Sequence, residues 1–283
     1  MSEPQPEFLP DRGPAPDPAD APPLIDTHAH LDDPRLKADL DGLLNRAARG
    51  GLVQILAVGT TAEDSEHVCE LARTRPGIFA TIGVHPNHAR EAAPGDWDRV
   101  VALANLPRVI AIGETGLDRH WDFTPFDEQI RWFDRHIRLA FDLDLPLVVH
   151  CRECEQDIID QLRALNRPVK GVLHSFAGTW DHAQVFLDLG LHLSFAGMIT
   201  FTNKNLDPLR EVASRVPDDR ILVETDSPYL SPHPFRGKTN EPARVAFTAQ
   251  TVARARGVSF DDLARLTTAN ARRLFALPDD RIC

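Results

Sequence analysis

The chain has 283 residues, enough to bury one large α/β barrel or two smaller domains. Its 42% hydrophobic and 26% charged content is that of an ordinary globular protein, and no apolar run is long enough to span a bilayer. A net charge of −11 excludes a protein that grips nucleic acid with a broad basic surface, but not an enzyme that meets phosphates through metal ions and a few arginines.

The start, Met1-Ser2-Glu3-Pro4, has neither a basic nor an apolar leader region, so a cytoplasmic protein is expected. Residues 1–22 are dense in proline with Asp, Glu and Ala between and no apolar period, which predicts a disordered tail ahead of a folded unit over residues 23–283. From Leu24 onward, short β-branched or apolar runs alternate with stretches of helical period. The runs predict strands at Leu24–His28, Val53–Gly59, Ile78–Val84, Val109–Gly113, Leu147–His150, Gly171–His174, His192–Ala196 and Ile221–Thr225. Helices are expected over Arg35–Arg49, Glu63–Thr74, Asp96–Ala104, Phe126–Phe141, Glu155–Leu165, Trp180–Leu189 and Pro208–Val216, then over Glu241–Arg256 and Phe260–Phe275. Gly50-Gly51 stops the first of these, and Ser259 with Asp262 caps the last. Eight strands, each followed by helix, in about 250 residues is the count and size of a TIM (β/α)8 barrel. A doubly wound open sheet shares the alternation and is the main rival, but it gives no reason for eight units.

In a barrel, catalytic groups sit at the C-terminal ends of the strands. In Asp26-Thr27-His28-Ala29-His30 the two histidines end the first strand, with Asp26 placed to orient a ring nitrogen. His85 ends the third strand, His150 the fifth and His174 the sixth, while Glu114 follows the fourth and Asp226 the eighth. His67, His136 and His182 fall within helices and read as surface or packing residues; His192 starts a strand, at the wrong end. Four of these histidines with the two carboxylates already exceed the three or so protein ligands of one catalytic metal, and suit two divalent ions bridged by a carboxylate. Imidazole-rich ligation suits Zn or Mn at least as well as Mg. The four cysteines make no secreted disulfide framework. Cys151-Arg152-Glu153-Cys154 is a C-x-x-C without the second pair of a zinc ribbon or the Gly-Pro turn of thioredoxin, and reads as coincidence.

Taken in order and spacing, several segments resemble the TatD-related metal-dependent deoxyribonucleases of the amidohydrolase superfamily. They are the Asp26 to Asp32 stretch, Gly83-Val84-His85-Pro86, Gly113-Glu114-Thr115-Gly116-Leu117-Asp118, Val149-His150-Cys151-Arg152 and His174-Ser175-Phe176. Glu224-Thr225-Asp226-Ser227-Pro228-Tyr229-Leu230 and Arg236-Gly237-Lys238-Thr239-Asn240-Glu241-Pro242 continue the likeness, which runs from Leu24 to about Leu277. The resemblance implies a barrel, a pair of divalent metals and phosphodiester hydrolysis. It would give one metal to His28, His30 and Asp226 and the second to His150 and His174, with Glu114 bridging and Asp226 also catalytic. The chain departs from the family pattern where Arg119-His120-Trp121 follows the Gly-Leu-Asp, and where Cys151 stands for a usual Ser.

The expected reaction is attack on phosphorus by a hydroxide activated between the metals, with Asp226 passing the proton to the leaving oxygen. His85, Arg152 and Lys238 are candidates to bind substrate, Arg119 and Lys204 weaker ones, and Asp26 and Glu224 stand behind the ligands. Tyr229, Trp121 and Phe201 are candidates to stack on bases. The reading is a monomeric 3′→5′ exonuclease on single-stranded DNA or RNA ends, without a membrane partner. Its rivals are an amide or ester hydrolase, such as a deacylase of aminoacyl-tRNA, and a metal-binding protein without catalysis.

Overall fold

The computed structural model describes residues 22–282, apart from the side chain of Lys204; the expected tail lies outside the described residues except for its last position. Eight strands run β1 (Leu24–Ala29), β2 (Leu52–Val58), β3 (Ile78–Ile82), β4 (Val109–Asp118), β5 (Leu147–Arg152), β6 (Gly171–Leu173), β7 (Leu191–Phe195) and β8 (Ile221–Val223). They pair in that order and all in parallel. A parallel bridge from Ala29 to Ser227 brings the chain beyond β8 back onto β1, so the sheet is a nearly closed TIM barrel.

Between the strands lie α1 (Pro34–Lys37), α2 (Leu40–Arg49), α3 (Ala62–Thr74), α4 (Asp96–Leu103), α5 (Phe126–Leu143), α6 (Glu155–Arg163), α7 (Trp180–Asp188) and α8 (Asp207–Arg215). Helices α9 (Val245–Arg256) and α10 (Phe260–Phe275) complete the chain. Local chemistry sets their ends: Thr61 and Ser259 accept hydrogen bonds from Asp64 N and Asp262 N, and α9 stops at Gly257, whose φ is 67°. The helix expected over Arg35–Arg49 is instead two. Asp33 caps a first short turn, and Asp39, at φ −135°, breaks the run before Leu40.

Two apolar regions hold the barrel. One lies between strands and surrounding helices and includes Val68 of α3, Phe133 and Ile137 of α5 and Phe186 of α7. The other gathers Ile25, Val53, Phe79, Ala111, Val148, Val172 and Leu222, from near the starts of their strands, against Ala271, Leu274 and Phe275 of α10. The last helix therefore seals the N-terminal end of the strands, and the opposite end is left to the polar residues. Among the described residues, no helix is long and apolar enough to cross a membrane.

Candidate metal centre

The strands deliver the polar side chains to one rim. His28 lies in β1 with His30 just past it, His85 follows β3, His150 is in β5, His174 follows β6 and Asp226 follows β8. Strand β4 runs on to Asp118, beyond the expected end at Gly113, so Glu114 sits inside a strand and is buried. Close strand approach makes this possible: a Cβ on Gly116, at φ 138°, would lie 2.1 Å from the carbonyl oxygen of His150.

Glu114 is the hub, and its two oxygens face different partners. Oε2 lies 3.3 Å from His28 Nε2 and 3.7 Å from His30 Nε2, and Asp226 Oδ1 lies 3.9 and 3.5 Å from the same two nitrogens. Oε1 lies 2.8 Å from His174 Nε2, 3.0 Å from His150 Nδ1 and 3.4 Å from His85 Nε2. One carboxylate thus stands between two imidazole groups, His28 with His30 and His150 with His174, and His85 joins the second.

The second nitrogen of each ring tells which one is free to bind a metal, because a neutral imidazole has one donor and one acceptor. His30 Nδ1 lies 3.2 Å from the carbonyl of Val58 and so donates, leaving Nε2 with its lone pair. His174 Nδ1 faces Glu224 Oε1 at 3.3 Å, so Nε2 is the nitrogen it turns to Glu114. His150 is turned the other way: Nε2 meets Asp118 Oδ2 at 3.1 Å and Nδ1 points at Glu114. His28 has no hydrogen-bond partner on either buried nitrogen and stacks on His174 at 4.0 Å. His85 behaves differently. Its Nδ1 accepts from Asn87 N at 3.1 Å, so its proton is on Nε2 and the ring is a donor toward the cluster rather than a metal ligand.

Burial acts to lower His30, His150 and His174, but Asp226 and Glu114 push His30 up to about 9, Asp118 and Glu114 push His150 up, and Glu114 pushes His174 well up. Burial prevails at three other groups. It pushes the Asp26 carboxyl up to about 8, against the hydrogen bonds from Thr225. It pulls His28 down, with His174 adding to the effect, and pulls His85 down to about 4, so both rings are neutral. Burial also acts to raise Glu114, but the imidazoles of His174, His85 and His28 outweigh it and hold the carboxyl well below its usual range. A buried carboxylate with imidazoles facing each of its oxygens, one of them unpartnered at both nitrogens, fits a divalent cation, which would take the place of the protons that hold the other rings to Glu114.

Other expected residues land differently. Asp26 touches no ring nitrogen; its carboxylate accepts from Thr225 N and Oγ1 at 2.9 and 2.5 Å and ties β1 to the chain after β8. Glu224 accepts from Ser175 N at 2.7 Å as well as facing His174. Arg119 is taken up by Asp157 at 2.7 Å and by the face of Phe126 at 3.7 Å, and is not available to a phosphate. Arg236 covers the face of Phe201 at 3.4 Å. Arg152 lies at the rim, 5.6 Å from the Trp121 ring, and Trp121 stacks on Phe123 at 5.5 Å, with 45% and 58% of these two residues exposed. Tyr229 stands edge-on to His30 at 5.9 Å and lines a cavity of about 490 Å³ with Arg35, Arg236 and Lys238. A larger cavity, about 680 Å³, lies between α4 and α5 and is lined by none of the rim residues. The side chain of Lys204 lies outside the described residues.

Sequence reasoning missed two contributors. Asp118 holds His150 and in turn accepts from Asn87 Nδ2, His120 N and Trp121 N. Its signal was the period of two from Glu114, visible only if the polar Glu-Thr-Gly-Leu-Asp run is accepted as strand. His136 of α5 accepts from Val84 N at 2.9 Å and so steadies the segment carrying His85.

Barrel and cluster together define a class, that of hydrolases whose metal site sits at the C-terminal rim of the strands. A family model described as TatD related DNase matches residues 25–276. The chain is 37% identical over 255 residues to an uncharacterized metal-dependent hydrolase, YabD, of Bacillus subtilis, covering 90% of this chain and 99% of that one. It is 34% identical over 257 residues to a Salmonella typhimurium protein named 3′-5′ ssDNA/RNA exonuclease TatD, with 89% and 98% covered. In three dimensions it is similar to the TatD homologue YJJV of Escherichia coli, with a TM-score of 0.85, 30% identity and 90% and 98% of the chains covered. The chain belongs to the TatD-related family and is a metal-dependent hydrolase.

Proposed function

We propose that the protein is a nuclease that removes nucleotides from the 3′ end of single-stranded DNA or RNA with the help of two divalent cations. The observation that carries this reading is the divided Glu114 carboxylate, one oxygen turned to His28 and His30 and the other to His150 and His174. His28, His30 and Asp226 would hold one ion, His150 and His174 the other, and Glu114 both. Bound there, Zn, Mn or Mg would neutralise phosphate charge and acidify the attacking water.

The protein's own groups account for the rest. Asp226, at the edge of the first group, accepts the proton of the attacking water and returns it to the oxygen that leaves phosphorus. His85, a neutral donor at Nε2, hydrogen-bonds a non-bridging phosphate oxygen. Lys238 and Arg236 offer charge beside Tyr229, and Arg152 offers it beside Trp121. Tyr229 and the Trp121–Phe123 pair give exposed aromatic faces on which unpaired bases can stack, which favours single strands over duplex. The polarity comes from the 34%-identical Salmonella relative.

Product analysis on 5′- and 3′-labelled single strands, with each metal added to protein stripped by chelation, tests the reading. Stepwise loss from the 3′ end is expected, and none without metal. Cleavage of aminoacyl-tRNA esters in parallel, with no phosphodiester cleavage under any metal, overturns it in favour of a deacylase.

A further inference from the structure

In sequence the Cys151–Cys154 spacing reads as coincidence; in the fold the two thiols are neighbours. Cys151 follows His150 on β5, and Cys154 stands immediately before α6. Their sulfurs are 3.8 Å apart, so a disulfide of about 2.05 Å needs less than about 2 Å of closure. Glu153 between them holds a left-handed φ of 58°, the turn that folds Cys154 back toward Cys151. Cys151 is partly exposed and Cys154 is buried, an order that lets an oxidant reach the first and the second resolve it. The pair is also wired to the metal centre. Cys154 Sγ donates to the carbonyl of Leu117 at 3.0 Å, and Leu117 pairs with Cys151 across the β4–β5 ladder and adjoins Asp118, which holds His150.

We propose that Cys151 and Cys154 are a redox-sensitive thiol pair whose reversible disulfide disturbs the His150 arm of the metal centre. With a hydroperoxide as oxidant, the Cys151 sulfur attacks the O–O bond and becomes a sulfenic acid, releasing water or the corresponding alcohol. The Cys154 sulfur then displaces that sulfenic oxygen, its thiol proton leaves with the oxygen as a second water, and the S–S bond forms. The two sulfurs lose two electrons and the peroxide gains them. Cys154 thereby gives up its donor to Leu117, and β5 is drawn toward α6 immediately after His150. The inference rests on the metal centre and not on the choice of substrate.

The test uses the full-length, metal-loaded protein, with hydrogen peroxide as the probe. Free thiols are blocked after treatment, and peptides are mapped without reduction. The peptide carrying both residues is expected to lose two hydrogens, hydrolysis to fall by roughly tenfold, as when the partner of a metal ligand is disturbed, and a thiol reductant to restore both. Cys154→Ser and Cys151→Ser are expected to keep the rate of the reduced protein and to lose its sensitivity to peroxide. Both thiols remaining free after oxidant would overturn the proposal, as would a bond from Cys151 to Cys283 or to another chain. So would a disulfide that leaves rate and metal content unchanged, or an equal loss of rate in Cys154→Ser. Because the mapping needs no substrate, its result stands even if the nuclease assay fails.

Discussion

The two ends of the same eight strands are built on opposite principles. Near their starts, Ile25, Val53, Phe79, Val148, Val172 and Leu222 meet Leu274 and Phe275 of α10 in an apolar cluster. Near their ends, Asp26, His28, Glu114, His174 and Glu224 are just as deeply buried. Each large apolar side chain at the first end stabilises the fold by about 1.5–3 kcal/mol, whereas an unpaired polar group at the second costs a comparable amount. His28 shows the difference by its company: both its buried nitrogens lack a hydrogen-bond partner, as do those of His192 at the start of β7, but of the two only His28 stands in a group of side chains that could hold a metal, with His30 and Glu114. One end of the barrel holds the molecule together, and the other is poised for a ligand the chain does not itself contain.

The largest effect should come from the hub of the polar end. Glu114→Ala removes the group shared by both imidazole sets. We expect hydrolysis to fall by roughly a thousandfold or more, since losing a single preorganised electrostatic group already costs about 10²–10³. Circular dichroism should show the barrel still folded. A variant keeping a tenth of the rate would show that Glu114 is not the bridge.

Phe275→Ala should do the reverse at the opposite end. Truncating a buried phenylalanine there is expected to lower the unfolding free energy by about 3–5 kcal/mol in urea titration. Metal content and rate per folded molecule should stay as they were. If metal affinity falls in step with stability, the two ends are one cooperative device and the contrast drawn above is wrong.

Asp118→Ala probes the layer behind the polar end, where a carboxylate orients His150 through Nε2. Metal affinity, read by competition with a chelating dye, is expected to fall by roughly 10–100-fold. An unchanged affinity would mean that His150 is held by strand geometry alone.

How far this contrast could be read from sequence follows from the same division. The apolar strand runs made the barrel legible, because strands buried on both faces are nearly continuous in hydrophobicity. The residues at the rim were legible because His and Glu recur where those runs stop. What failed to show was anything set by contact between strands. Asp118 meets His150 only through the pairing of β4 with β5, and Asp26 was drawn away from the rings by Thr225, 199 residues later in the chain. Arg119 looked free and is held by Asp157 of α6. The break between α1 and α2 escaped notice because the apolar period continues across Asp39, where the backbone does not.

The smallest effect separates the two sources of charge at the polar end, the expected cations and the protein. With a net charge of −11, and with Arg35 bound by Asp33 at 2.7 Å, few protein cations are free to replace counterions on a nucleic-acid strand. Binding of single-stranded oligonucleotides should therefore vary weakly with salt, as for about one to three neutralised phosphates, a log–log slope of roughly −0.7 to −2. Short oligonucleotides should bind nearly as well as long ones. Lys238→Ala should make that slope shallower by about one charge, and alike for every sequence, because a phosphate contact positions the strand without reading it. A wild-type slope equivalent to six or more phosphates would reveal a basic track outside the rim and remove the reason to place binding at the metal centre. A slope unmoved by Lys238→Ala would instead leave Lys238 facing water, and pass its role to Arg152 beside Trp121.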